Sequence, residues 1–268
     1  MSTVRVGDVL LNYQIEGPDG APWITLSHGL ATNFGMWAYL AGLLSQKYRV
    51  LRYDARGHGQ SSVPDGNYTL DLLVGDAKRL LDALGIEKTH FVGLSMGGMV
   101  ALGLALKHPE RLRSISVCDA RAQATQEYKD GWTHRIGVAR DGGMDALVER
   151  TLERWFTPAF RNSKPKALDE MRMMIRATPA AGYIGCASAL QNLDFGARLG
   201  ELRMPVLYLV GADDLGAPPA VVKGMHAATP GSRFVEIPEA GHIANIEQPE
   251  RFAQAITSFI DGLEKPAG

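Results

Sequence analysis

The chain has 268 residues, of which 46% are hydrophobic and 21% charged, and its formal net charge is −1 at pH 7. This composition is typical of a soluble globular protein with a sizeable core, and the near-neutral charge provides no basic surface for nucleic acid or for an anionic membrane. Because the N-terminus lacks a signal-peptide pattern and no apolar run approaches the ~18 residues of a membrane span, we expect a cytoplasmic protein without either partner.

The first part of the chain alternates between predicted strands and helices. Residues 9–15 alternate apolar and polar side chains, which predicts a half-solvated antiparallel edge strand. The later apolar runs are nearly continuous, which is typical of buried parallel strands, and leucines at helical spacing over 71–84 predict a crossover helix. These apolar runs are 24–26, 50–53, 91–94 and 115–117.

Residues 93–97 read G-L-S-M-G and join the strand predicted at 89–94 to a helical run at 99–107. Glycines on both sides of Ser95 remove the Cβ atoms that would clash at a tight strand-to-helix turn. The alternative interpretation is a Gly-Ser turn of no chemical consequence, and the strand before it and the helix after it disfavour that alternative. We therefore predict that Ser95 is a nucleophile on a nucleophile elbow.

A serine hydroxyl needs a general base and an acid that orients the base. Among the seven histidines, His242 is favoured because it follows the last predicted strand, 233–237, and triads built on such an elbow have the chain order serine, acid, histidine. Asp213 and Asp214 both follow the apolar run 205–210, at the strand end where open α/β sheets build their sites. We favour Asp214 as the acid and interpret Asp213 as a turn or capping residue.

The oxyanion formed by such a nucleophile needs two backbone amide donors. We predict the amide of Met96, the residue after Ser95, as one donor. The second comes from the loop after the strand at 23–27, where Gly29 permits an unusual turn and Leu30 supplies the amide. His28 is interpreted as a brace for this loop.

The alternation of predicted strands and helices stops after residue 119 and resumes near residue 205. We predict that the intervening helical sequence is a cap inserted into the sheet domain. Most of its aromatic and methionine side chains are expected to form the core of the cap, while Trp132 and Arg135 are candidate substrate contacts. The predicted division is 1–120 and 203–268 for the core and 121–202 for the cap.

The two cysteines are Cys118, in an apolar run, and Cys186, beside a glycine. Neither has a CxxC partner or a histidine cluster at metal-ligand spacing. The chain also lacks GxGxxG and P-loop motifs. We therefore predict buried free thiols, no metal and no cofactor.

These motifs resemble the α/β-hydrolase superfamily across essentially the whole chain, and within it the 3-oxoadipate enol-lactonases, enzymes of aromatic catabolism. The resemblance implies an α/β-hydrolase fold, a mostly parallel sheet with helices on both faces. Two of the matching stretches, 49–59 and 93–99, occur widely in the superfamily. The stretch in the predicted cap, 154–160, is restricted to fewer of its members and is therefore stronger evidence. The stretches are 49–59, 93–99, 154–160 (R-W-F-T-P-A-F) and 245–252 (N-I-E-Q-P-E-R-F).

The resemblance also implies a reaction on a small-molecule lactone or ester. Serine stands where haloalkane dehalogenases carry aspartate and dienelactone hydrolases carry cysteine, which favours acyl chemistry through a serine ester. Ser95 would open the enol-lactone to an acyl-enzyme, and water activated by His242 would release the oxoacid. Arg135 or another cap arginine would bind the carboxylate of the substrate.

Two other functions are compatible with the same residues. The loop S-H-G-L at 27–30 is common among esterases, whereas enol-lactonases often carry an Asn-Ser type loop there. A broad-specificity carboxylesterase, with perhydrolase activity on the side, is therefore the nearest alternative. A ligand-binding receptor on a hydrolase fold is the other, and it differs from an efficient enzyme in its slow turnover.

Overall fold

A computed structural model describes residues 2–264, which form one sheet surrounded by helices. Eight strands lie within this range. They are β1 (Ser2–Val6), β2 (Val9–Glu16), β3 (Trp23–Ser27), β4 (Arg49–Tyr53), β5 (Thr89–Leu94), β6 (Leu112–Cys118), β7 (Val206–Gly211) and β8 (Arg233–Ile237).

The strand order is β1-β2-β4-β3-β5-β6-β7-β8. Only β2 and its two neighbours pair antiparallel, and all other neighbours pair parallel. The carboxyl ends of β3 to β8 therefore meet at one edge of the sheet, where the loops that follow them can share a site. The predicted mostly parallel sheet of an α/β-hydrolase fold is confirmed.

The helices connect these strands and cover the sheet, with α2 packed on α3 and α1 packed on α11. The first three are α1 (Ala38–Leu44), α2 (Leu70–Ala83) and α3 (Met96–Lys107). Five more lie between β6 and β7 and are called the inserted helices below: α4 (Gln126–Gly142), α5 (Val148–Trp155), α6 (Pro158–Ser163), α7 (Pro165–Ala177) and α8 (Ala180–Gln191). The last three are α9 (Pro219–Ala227), α10 (Ala244–Glu247) and α11 (Pro249–Glu264).

Threonine side chains set the starts of three helices. Thr69, Thr125 and Thr157 precede α2, α4 and α6, and each side chain accepts a hydrogen bond from a backbone N–H in the first turn. Such caps satisfy amides that have no partner within the helix. They explain why these helices begin where they do.

The prediction of an edge strand at residues 9–15 is wrong. β1 pairs with β2 on its outer side, so β2 lies inside the sheet. Asn12, which the alternation assigned to the solvent face, is 2% exposed and donates from Nδ2 to Asp54 Oδ2 at 2.8 Å. A buried polar side chain with a partner produces the same alternation as an exposed one.

The inserted helices are anchored on the sheet domain through α8. A Cβ atom on Gly57 would lie 2.6 Å from the Cα atom of Gly182, so glycines allow the two backbones to touch. Cys186, on the same helix, and Cys118 are buried free thiols, as predicted. Within residues 2–264, no helix is both long and apolar enough to cross a membrane.

Candidate active site

The elbow residue Ser95 has a left-handed backbone, with φ 54° and ψ −113°. Its amide donates to the Cys118 carbonyl at 2.8 Å, which holds the turn against β6. A Cβ on Gly93 would lie 2.1 Å from the Gly97 carbonyl oxygen, and a Cβ on Gly97 would lie 2.1 Å from the Ser27 carbonyl oxygen. Glycine is required at both positions, and the strained turn presents the hydroxyl of Ser95 beyond the end of β5.

The structure joins Ser95, His242 and Asp214 in one hydrogen-bonded chain. His242 Nε2 lies 2.9 Å from Ser95 Oγ, and His242 Nδ1 lies 2.9 and 3.0 Å from the two carboxylate oxygens of Asp214. Because a carboxylate only accepts, Nδ1 carries the proton and Nε2 is free to accept from the serine. This is the geometry of a nucleophile, a base and an orienting acid.

Asp214 reaches His242, and Asp213 does not. Asp214 is 2% exposed, and its Oδ1 also accepts from the amides of Gly216 and Ala217 at 2.5 and 2.9 Å. Asp213 has an exposed side chain, and its backbone amide is bonded to the Ala240 carbonyl. The sharp turn after β7 points the two neighbouring carboxylates in different directions.

The peptide between Gly29 and Leu30 is held in one orientation. The Gly29 carbonyl lies 2.7 Å from His28 Nδ1 and accepts from Thr32 Oγ1 at 2.7 Å. In a planar trans peptide the N–H points away from the carbonyl, so these bonds fix the direction of the Leu30 amide. A Cβ on Gly29 would lie 3.5 Å from Ser95 Cβ, which places this loop against the serine.

Met96 is the first residue of α3, so its amide belongs to the first turn, which has no acceptor within the helix. Both predicted oxyanion donors are therefore backbone amides beside Ser95. Their side chains are buried, Leu30 at 5% exposure and Met96 at 1%. Water has little access to either residue.

Two buried histidines brace the loop around Leu30. The Ala55 amide donates to His28 Nε2 at 2.9 Å, and the Ala31 amide donates to His58 Nε2 at 3.1 Å. Burial lowers the pKa of both imidazoles, that of His58 to about 3. Both rings are therefore neutral near pH 7 and carry their proton on Nδ1. Ala31 itself has φ 60°, a strained conformation that this network holds in place.

A third acidic residue, Asp119, lies beside Asp214 and was not predicted. It follows β6 directly, is fully buried, has φ 48°, and accepts from the Gly211 amide at 2.8 Å. Burial and, after it, the nearby Asp214 carboxylate raise the pKa of Asp119 well above its usual value. This hydrogen bond joins the end of β6 to the end of β7, just before the loop that carries Asp214.

Ser95 and His242 line a cavity of about 760 Å³. Trp132 and Arg135, the two substrate contacts predicted from the sequence, both line it as well. Much of its wall comes from the inserted helices. Further lining side chains, which were not named as substrate contacts from the sequence, are Arg121, Tyr128, Arg154, Trp155 and Tyr183.

Four arginines in this wall, Arg121, Arg135, Arg150 and Arg154, form no ion pair with a carboxylate of the described residues. The Arg135 guanidinium stacks 3.7 Å from the Trp132 ring centroid, and that of Arg121 lies 4.4 Å from the Tyr128 ring centroid. Burial, followed by repulsion from Arg154, lowers the pKa of Arg135 to about 10. Arg135 therefore remains charged at neutral pH, and the arginines of the wall outnumber its two acidic residues, Asp119 and Glu153. In the sequence, single arginines separated along the chain do not indicate that their side chains line one cavity.

Comparisons with known proteins agree with this geometry. Residues 22–249 match the alpha/beta hydrolase fold family. The chain is 37% identical to a protein named 3-oxoadipate enol-lactonase 1 from Acinetobacter baylyi, over 98% of this chain and 97% of the relative.

Solved structures extend the likeness to three dimensions. The enol-lactonase from Burkholderia xenovorans LB400 matches with a TM-score of 0.94 at 36% identity, over 97% of this chain and all of that one. A thermophilic esterase from Thermogutta terrifontis, solved with malate bound, matches with a TM-score of 0.93 at 30% identity, over 99% of this chain and all of that one. The family match spans most of the chain, and the likeness to the Acinetobacter relative spans nearly all of it. The protein is therefore a hydrolase that belongs to the α/β-hydrolase family.

Proposed function

We propose that the protein is a serine hydrolase that opens a lactone or carboxylic ester through an acyl-enzyme, with 3-oxoadipate enol-lactone in aromatic catabolism as its substrate. The observation that carries this proposal is the hydrogen-bonded chain from Ser95 through His242 to Asp214 at the wall of the cavity. The relatives named enol-lactonases support the choice of substrate.

In the first half-reaction, Ser95 Oγ attacks the lactone carbonyl while His242 Nε2 takes the hydroxyl proton. Asp214 stabilises the imidazolium that forms. Collapse of the tetrahedral intermediate breaks the ring C–O bond, and His242 returns the proton to the enol oxygen. The enol part stays attached to the acyl chain and ketonises.

In the second half-reaction, His242 takes a proton from water, and the resulting hydroxide attacks the acyl-enzyme carbonyl. Ser95 Oγ leaves with that proton, and the oxoacid is released. We propose that the amides of Leu30 and Met96 bind the oxyanion in both halves. Losing one such donor typically costs ~3 to 4 kcal/mol in the transition state.

We propose that Arg135 and Trp132 contact the substrate, with Arg121 and Arg154 adding positive charge around its carboxylate. Arg121 lines the cavity, and no carboxylate of the described residues pairs with its guanidinium. Arginine recognises carboxylates through paired N–H donors. The unpaired charges of the cavity wall therefore favour an anionic substrate over a neutral one.

The inserted helices are proposed to act as the cap that selects the substrate. The proposed division is the one predicted from the sequence, with 1–120 and 203–268 as the core and 121–202 as the cap. Met1 and residues 265–268 of that division lie outside the described residues. The cytoplasmic location stays a prediction.

A broad-specificity carboxylesterase is the second candidate. It uses the same triad and oxyanion donors, and the sequence H-G-L at 28–30, common among esterases, favours it. The likeness to the Thermogutta terrifontis esterase supports this candidate as well. The two candidates differ only in what the cap admits.

Covalent labelling tests the proposed nucleophile. A small fluorophosphonate should add one label, located by mass spectrometry on Ser95, and Ser95→Ala protein should take up none. Turnover of the enol-lactone by the unlabelled enzyme should continue through many cycles, which a slow receptor would not achieve. Labelling at another residue, with full turnover by Ser95→Ala protein, would contradict the proposal.

A further inference from the structure

A buried carboxylate in the stretch 245–252 takes no part in the proposed mechanism. Glu247 is 8% exposed, and its two oxygens accept hydrogen bonds from two distant parts of the chain. Oε2 accepts from the Gly241 amide at 2.8 Å. Oε1 accepts from the Thr157 amide at 3.1 Å and from the Thr157 hydroxyl.

Both partners occupy positions that matter for the site. Gly241 immediately precedes His242, the proposed base. Thr157 lies between α5 and α6 of the inserted helices, and its hydroxyl also accepts from the Phe160 amide to cap α6. Glu247 therefore connects the loop of the base to the inserted helices.

A second contact joins the same two segments. The amide of Ile243, which follows His242, donates to the Trp155 carbonyl at 3.4 Å. A Cβ on Gly241 would lie 2.4 Å from that carbonyl oxygen, so only glycine allows this approach. Both neighbours of His242 are thus held by residues 155–157 and Glu247, and Trp155 lines the cavity.

Only a carboxylate suits this position. The three donors point at two acceptor oxygens, and Glu247 forms no ion pair within residues 2–264. Glutamine would turn an NH₂ group toward one of the donors and leave a buried donor without an acceptor. Hydrogen bonds to a charged acceptor are also stronger than those to a neutral one.

We infer that Glu247 is a positioning residue that holds the loop of His242 against residues 155–157 of the inserted helices, so that the seating of these helices sets the alignment of His242 with Ser95. The inference rests on the proposed role of His242 as the base. On this inference, the stretches 154–160 and 245–252 act together, because they carry Thr157 and Glu247. Small misplacements of a catalytic group can cost ~100-fold in rate.

The test compares Glu247→Gln with Glu250→Gln, which removes the same charge at an exposed position nearby. The assay uses p-nitrophenyl acetate, a small neutral ester with no carboxylate for the arginines. We expect kcat to fall ~30-fold in Glu247→Gln while KM stays within ~3-fold, because alignment and not binding is lost. Glu250→Gln should match the wild type. A Glu247→Gln protein with lower thermal stability but wild-type kcat would overturn the inference.

Thr157 tests the link from the other side and serves if Glu247→Gln does not fold. Thr157→Val should lower kcat. Thr157→Ser, which keeps the hydroxyl, should retain the wild-type kcat. The double variant Glu247→Gln/Thr157→Val should be no slower than Glu247→Gln alone, because both changes break one link. Equal kcat for Thr157→Val and wild type, or fully additive losses, would contradict the inference.

The Ser95→Ala protein separates this inference from the proposed function. Wild-type turnover in Ser95→Ala would contradict the function itself. An inactive Ser95→Ala protein beside a fully active Glu247→Gln protein would contradict only the positioning role.

Discussion

The two walls of the cavity are built on different physical principles. On the sheet side, the segments that carry Ser95, His242 and Leu30 are held by buried hydrogen bonds, such as those of His58 with Ala31 and of Asp119 with Gly211. On the side of the inserted helices, Arg135 and Arg154 line the cavity with no carboxylate partner among the described residues. Under the proposed function, this difference means that the sheet side carries out the reaction, while the helical side selects the substrate.

The surface of the helical side carries exposed ion pairs. The ion pair of Arg172 with Glu149 joins α7 to α5, that of Arg176 with Asp145 joins α7 to the segment between α4 and α5, and both carboxylates are exposed. Such surface pairs contribute ~0 to 1 kcal/mol each. The inserted helices can therefore change their surface residues at little cost, whereas the sheet side tolerates few changes near Ser95.

The largest effect is expected on the sheet side. Ser95→Ala should lower kcat by ~10⁴-fold or more, because the nucleophile and base act as a unit, while the protein stays folded. Ester hydrolysis and circular dichroism on the same preparation measure both points. Wild-type hydrolysis by a folded Ser95→Ala protein would remove this residue from the mechanism.

The two neighbouring aspartates provide a matched pair. Asp214→Asn should lower kcat by ~10³- to 10⁴-fold, because an amide cannot fix the tautomer of His242 or stabilise its imidazolium. Asp213→Asn, at an exposed position, should stay within ~2-fold of the wild type. Steady-state rates of both variants measure these losses of kcat. A larger loss in Asp213→Asn than in Asp214→Asn would assign the role of the acid to Asp213.

The helical side should affect specificity instead. Arg135→Met is expected to lower kcat/KM ~30-fold for an ester with a free carboxylate, such as mono-p-nitrophenyl succinate, because a charged hydrogen bond of ~1.5 to 3 kcal/mol is lost. The same variant should change kcat/KM less than ~3-fold for the neutral p-nitrophenyl butyrate. Arg140→Met, an exposed change on the same helix, is the control. Equal losses on both esters would contradict charge recognition by Arg135.

The last effect is on stability and not on rate, and it concerns the pH dependence on the sheet side. His58 has a pKa of about 3 in the folded protein and ~6.5 when unfolded, so the unfolded chain binds a proton first as the pH falls. The stability associated with neutral His58 is present above pH ~6.5 and is lost toward pH 3, by ~1.4 kcal/mol per pH unit.

Urea unfolding of wild type and His58→Gln at pH 6, 5 and 4 measures this contribution. The free energy of unfolding should fall more steeply with decreasing pH in the wild type. His134→Gln, a change at an exposed histidine of the cavity wall, should leave the wild-type slope intact. Parallel curves for wild type and His58→Gln would show that His58 is not neutral and buried in solution.

The sheet side was more predictable from the sequence than the helical side. Parallel buried strands produce nearly continuous apolar runs, and the glycines around Ser95 are required by backbone contacts, so both leave local patterns. β1, with two valines among its five residues, leaves a weak pattern and was missed, which made β2 look like an edge. The positions of Ser95, His242 and Asp214 along the chain sufficed to propose the triad that the geometry assembles.

Arg121, Arg154 and Glu247 were not predictable because an isolated charged residue in a sequence is typical of a solvated surface. Only the fold brings the two arginines into one cavity and places Glu247 between Gly241 and Thr157. The signal in these cases is the position of the charged side chain, in the cavity wall for the two arginines and buried for Glu247, and that position is known only from the fold.

The most direct test of the central claim is kcat/KM for freshly generated 3-oxoadipate enol-lactone beside short p-nitrophenyl esters, on one preparation with Ser95→Ala as the blank. We predict that the lactone exceeds the esters by several orders of magnitude and that the blank turns over neither substrate. Rapid hydrolysis of the esters with almost no turnover of the lactone would contradict the proposed substrate and identify the protein as a carboxylesterase.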